Sequence, residues 1–173
     1  MTFDFNKVDK VATMEQQQPQ ISISVQTEDF DQNLQYQQLR VSSAIGAIVT
    51  FTGLVREFAP ATANTAHNKT NFELEHYPGM TEQVLKQIAC NACKQWPLDA
   101  VTVIHRVGKL SPCAQIVFVG VASAHRQAAF EACHFIIDLL KTQAPFWKKE
   151  GDKWVEAKES DQHAATRWLA NNA

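Results

Sequence analysis

The sequence predicts an α+β fold in the order β-β-α-β-β-α, with helices packed on one face of a mainly antiparallel sheet. Two observations carry this prediction. Segments with apolar residues at period two alternate with segments at helical period, and glycine, proline or polar clusters separate them. The 173 residues also fit one domain, because neither a repeat nor a second unit interrupts them. We expect a flexible, glutamine-rich tail over residues 1–20 and a single domain over 21–173.

Strands are predicted where β-branched and aromatic residues alternate with polar ones or form a continuous apolar run. These segments are 21–25, 44–53, 72–77, 100–108 and 115–122, with a short one at 153–156. Because 115–122 is apolar on both faces, we expect it to be central in the sheet. The strand 72–77 is expected to pair with 44–53, across a polar and mobile loop over 57–71.

Four helices are predicted. A short one covers 30–39, and a second begins near Thr81, a predicted N-cap followed by Glu82, and ends at Trp96-Pro97. The third, long helix runs from Ala124 to about Gln143 after a cap at Ser123, and a closing helix covers 161–169. The buried stripe of the long helix is predicted to be Ala128, Ala132, Phe135, Ile136, Leu139 and Leu140.

Composition excludes several function classes. The net charge of −2 predicts no global attraction to nucleic acid or to an anionic membrane, so an anion site must be a local cluster. No apolar run reaches the roughly 20 residues that span a bilayer. No secretory signal is recognisable, so the four cysteines are expected to be reduced thiols in the cytoplasm.

The stretch from Leu140 to Glu150 is the strongest candidate for chemistry. Pro145 must end the long helix, and Lys141 and Lys148 flank this break beside bulky aromatic residues. A lysine in a half-apolar setting can supply a neutral amine, and a charged one can hold an anion. The alternative is that Lys141 only complements the helix dipole and Lys148 is solvated.

A second candidate lies at the start of the same helix. His125 and Arg126 combine cationic donors with the free N–H groups of a helix N-terminus, which suits a phosphate, and Arg56 ends a strand as a further candidate. Alternatively, these are surface cations or ion-pair partners. Arg126 and Lys141 are about 22 Å apart on one helix, so one small ligand cannot easily touch both. They serve different sites, or a symmetric dimer joins the two helix ends; we favour the dimer.

The cysteines give a weaker signal. Cys90 and Cys93 have CxxC spacing, but they lie within a helix and lack a second ligand pair, which favours simple packing. Cys133 and His134 are adjacent on a helix and point about 100° apart, so they do not form a nucleophile–base pair. We predict no metal site and no cofactor.

The residues resemble a known family, the large, catalytic subunit of molybdopterin synthase. Five blocks carry the resemblance in the same order: 49–56, 74–80, 103–108, 123–126 and 140–150. It covers about residues 40–168. The resemblance implies a sulfurtransferase of molybdenum cofactor biosynthesis, which converts cyclic pyranopterin monophosphate into molybdopterin. It also implies the sulfur donor, the C-terminal Gly-Gly thiocarboxylate of a ubiquitin-like small subunit, and a heterotetramer built on a dimer of large subunits.

The resemblance also assigns residues. Lys141 and Lys148 match the essential lysines, and the substrate-binding positions are matched by Arg56, His125, Arg126, Lys149, Glu150 and Lys158. Two departures stand out: Leu54 replaces a lysine found in many relatives, and Lys158 replaces an arginine found in some, so a bidentate anion contact there becomes a point charge. The competing hypotheses are a non-catalytic anion-binding scaffold of the same fold and a thiol- or metal-dependent enzyme.

Overall fold

The computed structural model describes residues 18–56, 72–150, 153–155, 166 and 168. The elements in chain order are β1 (Gln20–Gln26), α1 (Gln32–Gln38), β2 (Ala47–Leu54), β3 (Phe72–His76), α2 (Met80–Gln95), β4 (Ala100–Arg106), β5 (Gly108–Leu110), β6 (Gln115–Ser123), α3 (Arg126–Gln143), β7 (Phe146–Glu150) and β8 (Lys153–Val155). The α+β class is confirmed. Residues 1–17, the whole of the predicted 57–71 loop and most of the predicted 161–169 helix lie outside the described residues, so the predicted tail and domain bounds stay predictions.

Two four-stranded sheets replace the single sheet that we expected. Sheet 1 has the order β1-β4-β6-β2, and sheet 2 has the order β5-β3-β7-β8. Sheet 1 is mixed, because β1 runs parallel to β4 while the other neighbours are antiparallel. Sheet 2 is antiparallel throughout. The central position of the 115–122 strand is confirmed, since β6 lies between β4 and β2.

The predicted pairing of 72–77 with 44–53 is wrong. β2 pairs with β6, whereas β3 pairs with β5 and β7 in the other sheet. The predicted strand 100–108 is also divided, because Gly108 has a φ of 82° and turns the chain from sheet 1 into sheet 2. Residue alternation shows which face of a strand is buried, but it does not identify the neighbouring strand.

The main core lies between sheet 1 and the helices α2 and α3. Large side chains at its centre include Leu85, Ile88, Val101, Val119 and Ile136. The predicted buried stripe of α3 is confirmed at all six positions. Phe30 and Leu39, which flank α1, cover the opposite face of sheet 1 against Ile104 and Phe118. The helices are therefore not all on one face.

Both predicted N-caps are wrong. The first turn of α2 is capped by Gly79, whose N–H donates to Glu82 Oε2 at 2.7 Å, while Thr81 is buried. Ser123 ends β6, and its hydroxyl donates to the Pro97 carbonyl at 2.8 Å. The N-cap of α3 is His125, which makes no side-chain capping hydrogen bond. Both buried hydroxyls join separate elements, and neither residue occupies the N-cap position of its helix.

Candidate active site

One helix, α3, runs beside a groove on the described structure. The groove has a volume of about 790 Å³ and lies between α3 and the edge strand β2. Its floor includes Val49 and Phe51 from β2, and its helical wall runs from Phe130 to Lys141. The full lining is Val49, Thr50, Phe51, Phe130, Glu131, Cys133, His134, Ile137, Asp138, Lys141 and Trp168. Lys141 thus stands at one end of a mostly apolar channel.

This groove was not predicted from the sequence. The helical wall uses positions 130, 134, 137, 138 and 141, which form a second stripe beside the predicted core stripe. Its mixture of apolar and ionisable side chains conceals it from a search for apolar periodicity. The spacing itself was visible, because residues three and four apart share a face of a helix.

Asp138 is a further residue of the groove that was not predicted from the sequence. Its carboxylate is buried and accepts a hydrogen bond from Trp168 Nε1 at 2.8 Å, and His134 Nε2 lies 3.6 Å away. The Trp168 ring also packs edge-on against Trp96 and Phe135. Asp138 therefore holds a C-terminal aromatic ring against the helix that carries Lys141.

Helix α3 ends just before Pro145, as the sequence predicted. Gln143 is the last residue of α3, and Ala144 has the extended conformation that a following proline favours, with φ −74° and ψ 129°. Lys141 is exposed in the last turn, where the helix dipole favours a cation. After Pro145 the chain enters β7, which carries Lys148 and Lys149.

The two adjacent lysines of β7 point to opposite faces of sheet 2. Residues on one strand alternate between faces, and directly paired residues share a face. Lys148 is paired with Leu74, which is buried, and its Nζ lies 5.4 Å from the centroid of the Phe72 ring. Lys149 is paired with Glu73 on the other face. Lys148 is therefore the lysine directed toward the inner, apolar side of sheet 2.

Arg56 lies at the same end of the molecule as Lys148. It is exposed and directly follows Val55, which is buried in a cluster with Phe72 and Leu74 of β3. Phe146 of β7 packs against this cluster. Because α3 returns antiparallel to β6, its C-terminal end, with Lys141, also lies near the end of β2.

His125 and Arg126 lie at the opposite end of α3 and are exposed. The helix is continuous between Arg126 and Lys141, so the separation of about 22 Å along its axis holds. The chain thus brings Arg56, Lys141 and Lys148 toward one end and leaves His125 and Arg126 at the other. Lys158 and the Glu150 side chain lie outside what the structure describes.

Two of the four thiols are poorly suited to nucleophilic chemistry. Burial raises the pKa of Cys133 to about 12, and burial together with the nearby Cys90 raises the pKa of Cys93 to about 11. The thiolate is the reactive form, so both side chains are inert near neutral pH. Within the described ranges, no three His, Cys, Asp or Glu side chains lie close enough to hold a metal ion.

No helix in the described part of the chain is both long and apolar enough to cross a membrane.

Comparisons with known proteins agree with this geometry. The family model described as "MoaE protein" matches residues 25–143. A protein of Escherichia coli (strain K12) named "Molybdopterin synthase catalytic subunit" is 53% identical over 150 residues, which are 84% of this chain and 97% of the relative.

Solved structures share the fold. The "Molybdopterin biosynthesis MoaE protein" from Burkholderia ambifaria MC40-6 matches with a TM-score of 0.71 and 46% identity, over 85% of this chain and 97% of that one. A "protein-protein complex of subunit 1 and 2 of Molybdopterin-converting factor" from Helicobacter pylori 26695 matches with a TM-score of 0.61 and 20% identity, over 80% and 90% of the two chains, which shows a common fold. The chain therefore belongs to the MoaE family, the catalytic subunits of molybdopterin synthase, which act in molybdenum cofactor biosynthesis.

Proposed function

We propose that the chain converts cyclic pyranopterin monophosphate into molybdopterin by two sulfur transfers from the C-terminal thiocarboxylate of a ubiquitin-like small subunit. The observation that carries the proposal is the position of Lys141 at the end of the groove, with Lys148 on the next strand beyond Pro145. The donor supplies the nucleophilic sulfur, so the chain needs cations and a binding groove more than a thiol of its own.

Lys141 acts on the transferring acyl group. Each transfer passes through a thioester-like species that water must hydrolyse, and an ammonium beside the carbonyl would stabilise the developing oxyanion. Lys141 is exposed at the end of the groove, where its side chain can reach a carbonyl that the small subunit brings in. Lys148, on the inner face of sheet 2, holds the tail carboxylate or the negative charge of the substrate.

The remaining cations bind the substrate phosphate. Arg56 contributes from the same chain, while His125 and Arg126 contribute from a second copy of the chain, because one protomer keeps them about 22 Å from Lys141. Lys149, Glu150 and Lys158 complete the binding segment. The enzyme is then a dimer of this chain with a small subunit at each end. The subunit complex described for the Helicobacter pylori relative supports such a partner. A cytoplasmic location, expected from the cysteines, stays a prediction.

A single-turnover assay tests the function. The chain is mixed with thiocarboxylated small subunit and cyclic pterin, and formation of the dithiolene product is followed. We expect product with the wild type and a loss of at least ~100-fold with Lys141→Ala. Lys94→Ala is the matched control, because Lys94 also lies in the last turn of a helix, α2, and should leave the rate unchanged.

The outcomes separate the alternatives. Absence of product from the wild type, despite complex formation in gel filtration, would support the scaffold hypothesis and remove the lysine roles. A thiol-dependent enzyme would lose activity when all four cysteines are replaced by serine or alanine. We expect that variant, once folded, to keep its turnover in the presence of a chelator.

A further inference from the structure

The segment that connects Lys141 and Lys148 packs against a buried histidine, His105. Phe146, the first residue of β7, stacks on the ring of His105 with a centroid distance of 4.0 Å and an interplanar angle of 25°. His105 belongs to β4 in sheet 1 and is buried. This stacking contact therefore ties the start of the lysine-bearing strand to the central sheet, in addition to the apolar packing of Phe146.

His105 is itself held in one orientation. Its Nδ1 lies 2.9 Å from the carbonyl oxygen of Arg106. Burial, together with the nearby His76, lowers the pKa of His105 to about 4, so the ring is neutral near pH 7. A neutral ring that hydrogen-bonds a carbonyl through Nδ1 must carry its proton there, which fixes both tautomer and ring plane.

A second contact holds the same turn. The Thr81 hydroxyl lies 3.3 Å from the Pro145 carbonyl oxygen and 3.0 Å from that of Tyr77. On the other side, β3 places His76 directly opposite Phe146 in the sheet 2 register. The turn over residues 144–146 is thus held by an aromatic face, a hydroxyl and a strand pair.

We propose that His105 is a positioning residue for the sulfur-transfer site, because its ring fixes Phe146 and thereby sets where Lys148 stands relative to Lys141. Lys148 is only two residues beyond Phe146 on the same face of β7, so a tilt at Phe146 displaces it directly. The activity consequence rests on the proposed function. The structural consequence, a fixed start of β7, does not.

Three variants separate stacking from other roles of His105. His105→Phe keeps an aromatic face for Phe146 and removes the hydrogen bond to Arg106. His105→Asn keeps a donor near the position of Nδ1 and removes the ring. Val101→Ala is the matched control, because Val101 is buried on the same face of β4 but four residues, or about 13 Å, away along the strand.

Hydrogen exchange of the backbone amides of residues 146–149 gives a readout independent of activity. We expect His105→Asn to speed this exchange about tenfold, and His105→Phe to stay within about twofold of the wild type. Val101→Ala should lower the melting temperature without a selective effect on these amides. Thr81→Val provides a second perturbation of the turn that leaves the ring pair intact, and it should accelerate the same amides.

We expect kcat to fall in the same variants in which the amides of residues 146–149 exchange faster. For His105→Asn we expect kcat to fall about tenfold while KM for the small subunit stays within about twofold, and His105→Phe should restore kcat. Unchanged exchange in His105→Asn, or equal loss in His105→Phe, would overturn the proposal. If the wild type forms no product, the proposed function fails, while the exchange experiment still decides the positioning role.

Discussion

The two ends of α3 carry cations under opposite physical conditions. At the C-terminal end, Lys141 lies where the helix dipole favours positive charge, the helix is stopped by Pro145, and the following residue stacks on His105. At the N-terminal end, His125 and Arg126 lie where the dipole disfavours positive charge, and the N-cap makes no side-chain hydrogen bond. Both ends are exposed. The C-terminal end, which we call the braced end, is held by the stack of Phe146 on His105, whereas the contact at the other end is a hydrogen bond from the His125 N–H to the Ser123 hydroxyl at 3.3 Å.

The contrast indicates which cations need a functional explanation. A lysine in a last helical turn is stabilising by itself, so its presence alone says little. An exposed histidine at the N-cap, followed by an arginine, lowers the stability of the helix. A bound anion would offset that loss. The cations at the N-terminal end do not stabilise the helix by themselves. They are therefore stronger evidence for a bound anion than Lys141 is.

The largest expected effect tests the braced end. Lys148→Ala should reduce single-turnover sulfur transfer by ~100-fold, because Lys148 faces the inner side of sheet 2. Lys149→Ala, one residue away, changes a residue of the proposed binding segment whose side chain points to the other face, so we expect a smaller loss of about threefold to tenfold. Equal losses of activity in the two variants would contradict the different roles that we assign to the two faces of sheet 2.

Subunit mixing tests whether the two ends meet across a dimer. Lys141→Ala and Arg126→Ala proteins, each nearly inactive alone, are unfolded together, refolded and assayed. If each site takes Lys141 from one protomer and Arg126 from its partner, every mixed dimer has one intact site, and random pairing restores about a quarter of wild-type activity. If both residues act within one chain, mixing restores nothing.

Acid should weaken the braced end through His105. The pKa of His105 is lowered from its ordinary value of 6.5 to about 4 in the folded protein, so the unfolded chain binds a proton more readily between these pH values. Stability from this residue is therefore complete above pH 6.5 and is lost as the pH falls toward 4. Between pH 7 and 5.5 we expect a loss of about 1 kcal/mol in the free energy of unfolding.

Urea unfolding of the wild type and His105→Phe at both pH values checks this expectation. In His105→Phe the free energy of unfolding should not show the loss that is due to His105. The neighbouring His76 and Glu82 are present in both proteins and affect them alike. The same pH dependence in both would show that His105 does not titrate on unfolding.

The smallest expected effect lies at the exposed end. His125→Ser should stabilise the protein by about half to one kcal/mol, because serine can accept the capping hydrogen bond that is missing at this N-cap. The same change should weaken binding of the phosphate substrate. Ala124→Ser, one residue before the cap, is the control for urea unfolding and for substrate affinity. Tighter substrate binding in His125→Ser would remove His125 from the proposed anion site.

The sequence by itself determined the local structure and the family. The helical spacing of apolar residues and the position of Pro145 predicted the long helix, its buried stripe and its end. These features depend on residues that are neighbours along the chain. Five motif blocks were enough to indicate molybdopterin synthase, which the comparisons confirmed.

Only the tertiary structure decided which strands pair, how the groove forms and which lysine faces inward. The residues of β3 alternate in the same way whether they join β2 or β7, so their pattern could not reveal the second sheet. Thr81 and Ser123 are good capping residues by type, yet burial gave their hydroxyls partners far away in the sequence. The stacking of His105 on Phe146 joins residues 41 positions apart, and such contacts depend on the folded topology rather than on local sequence.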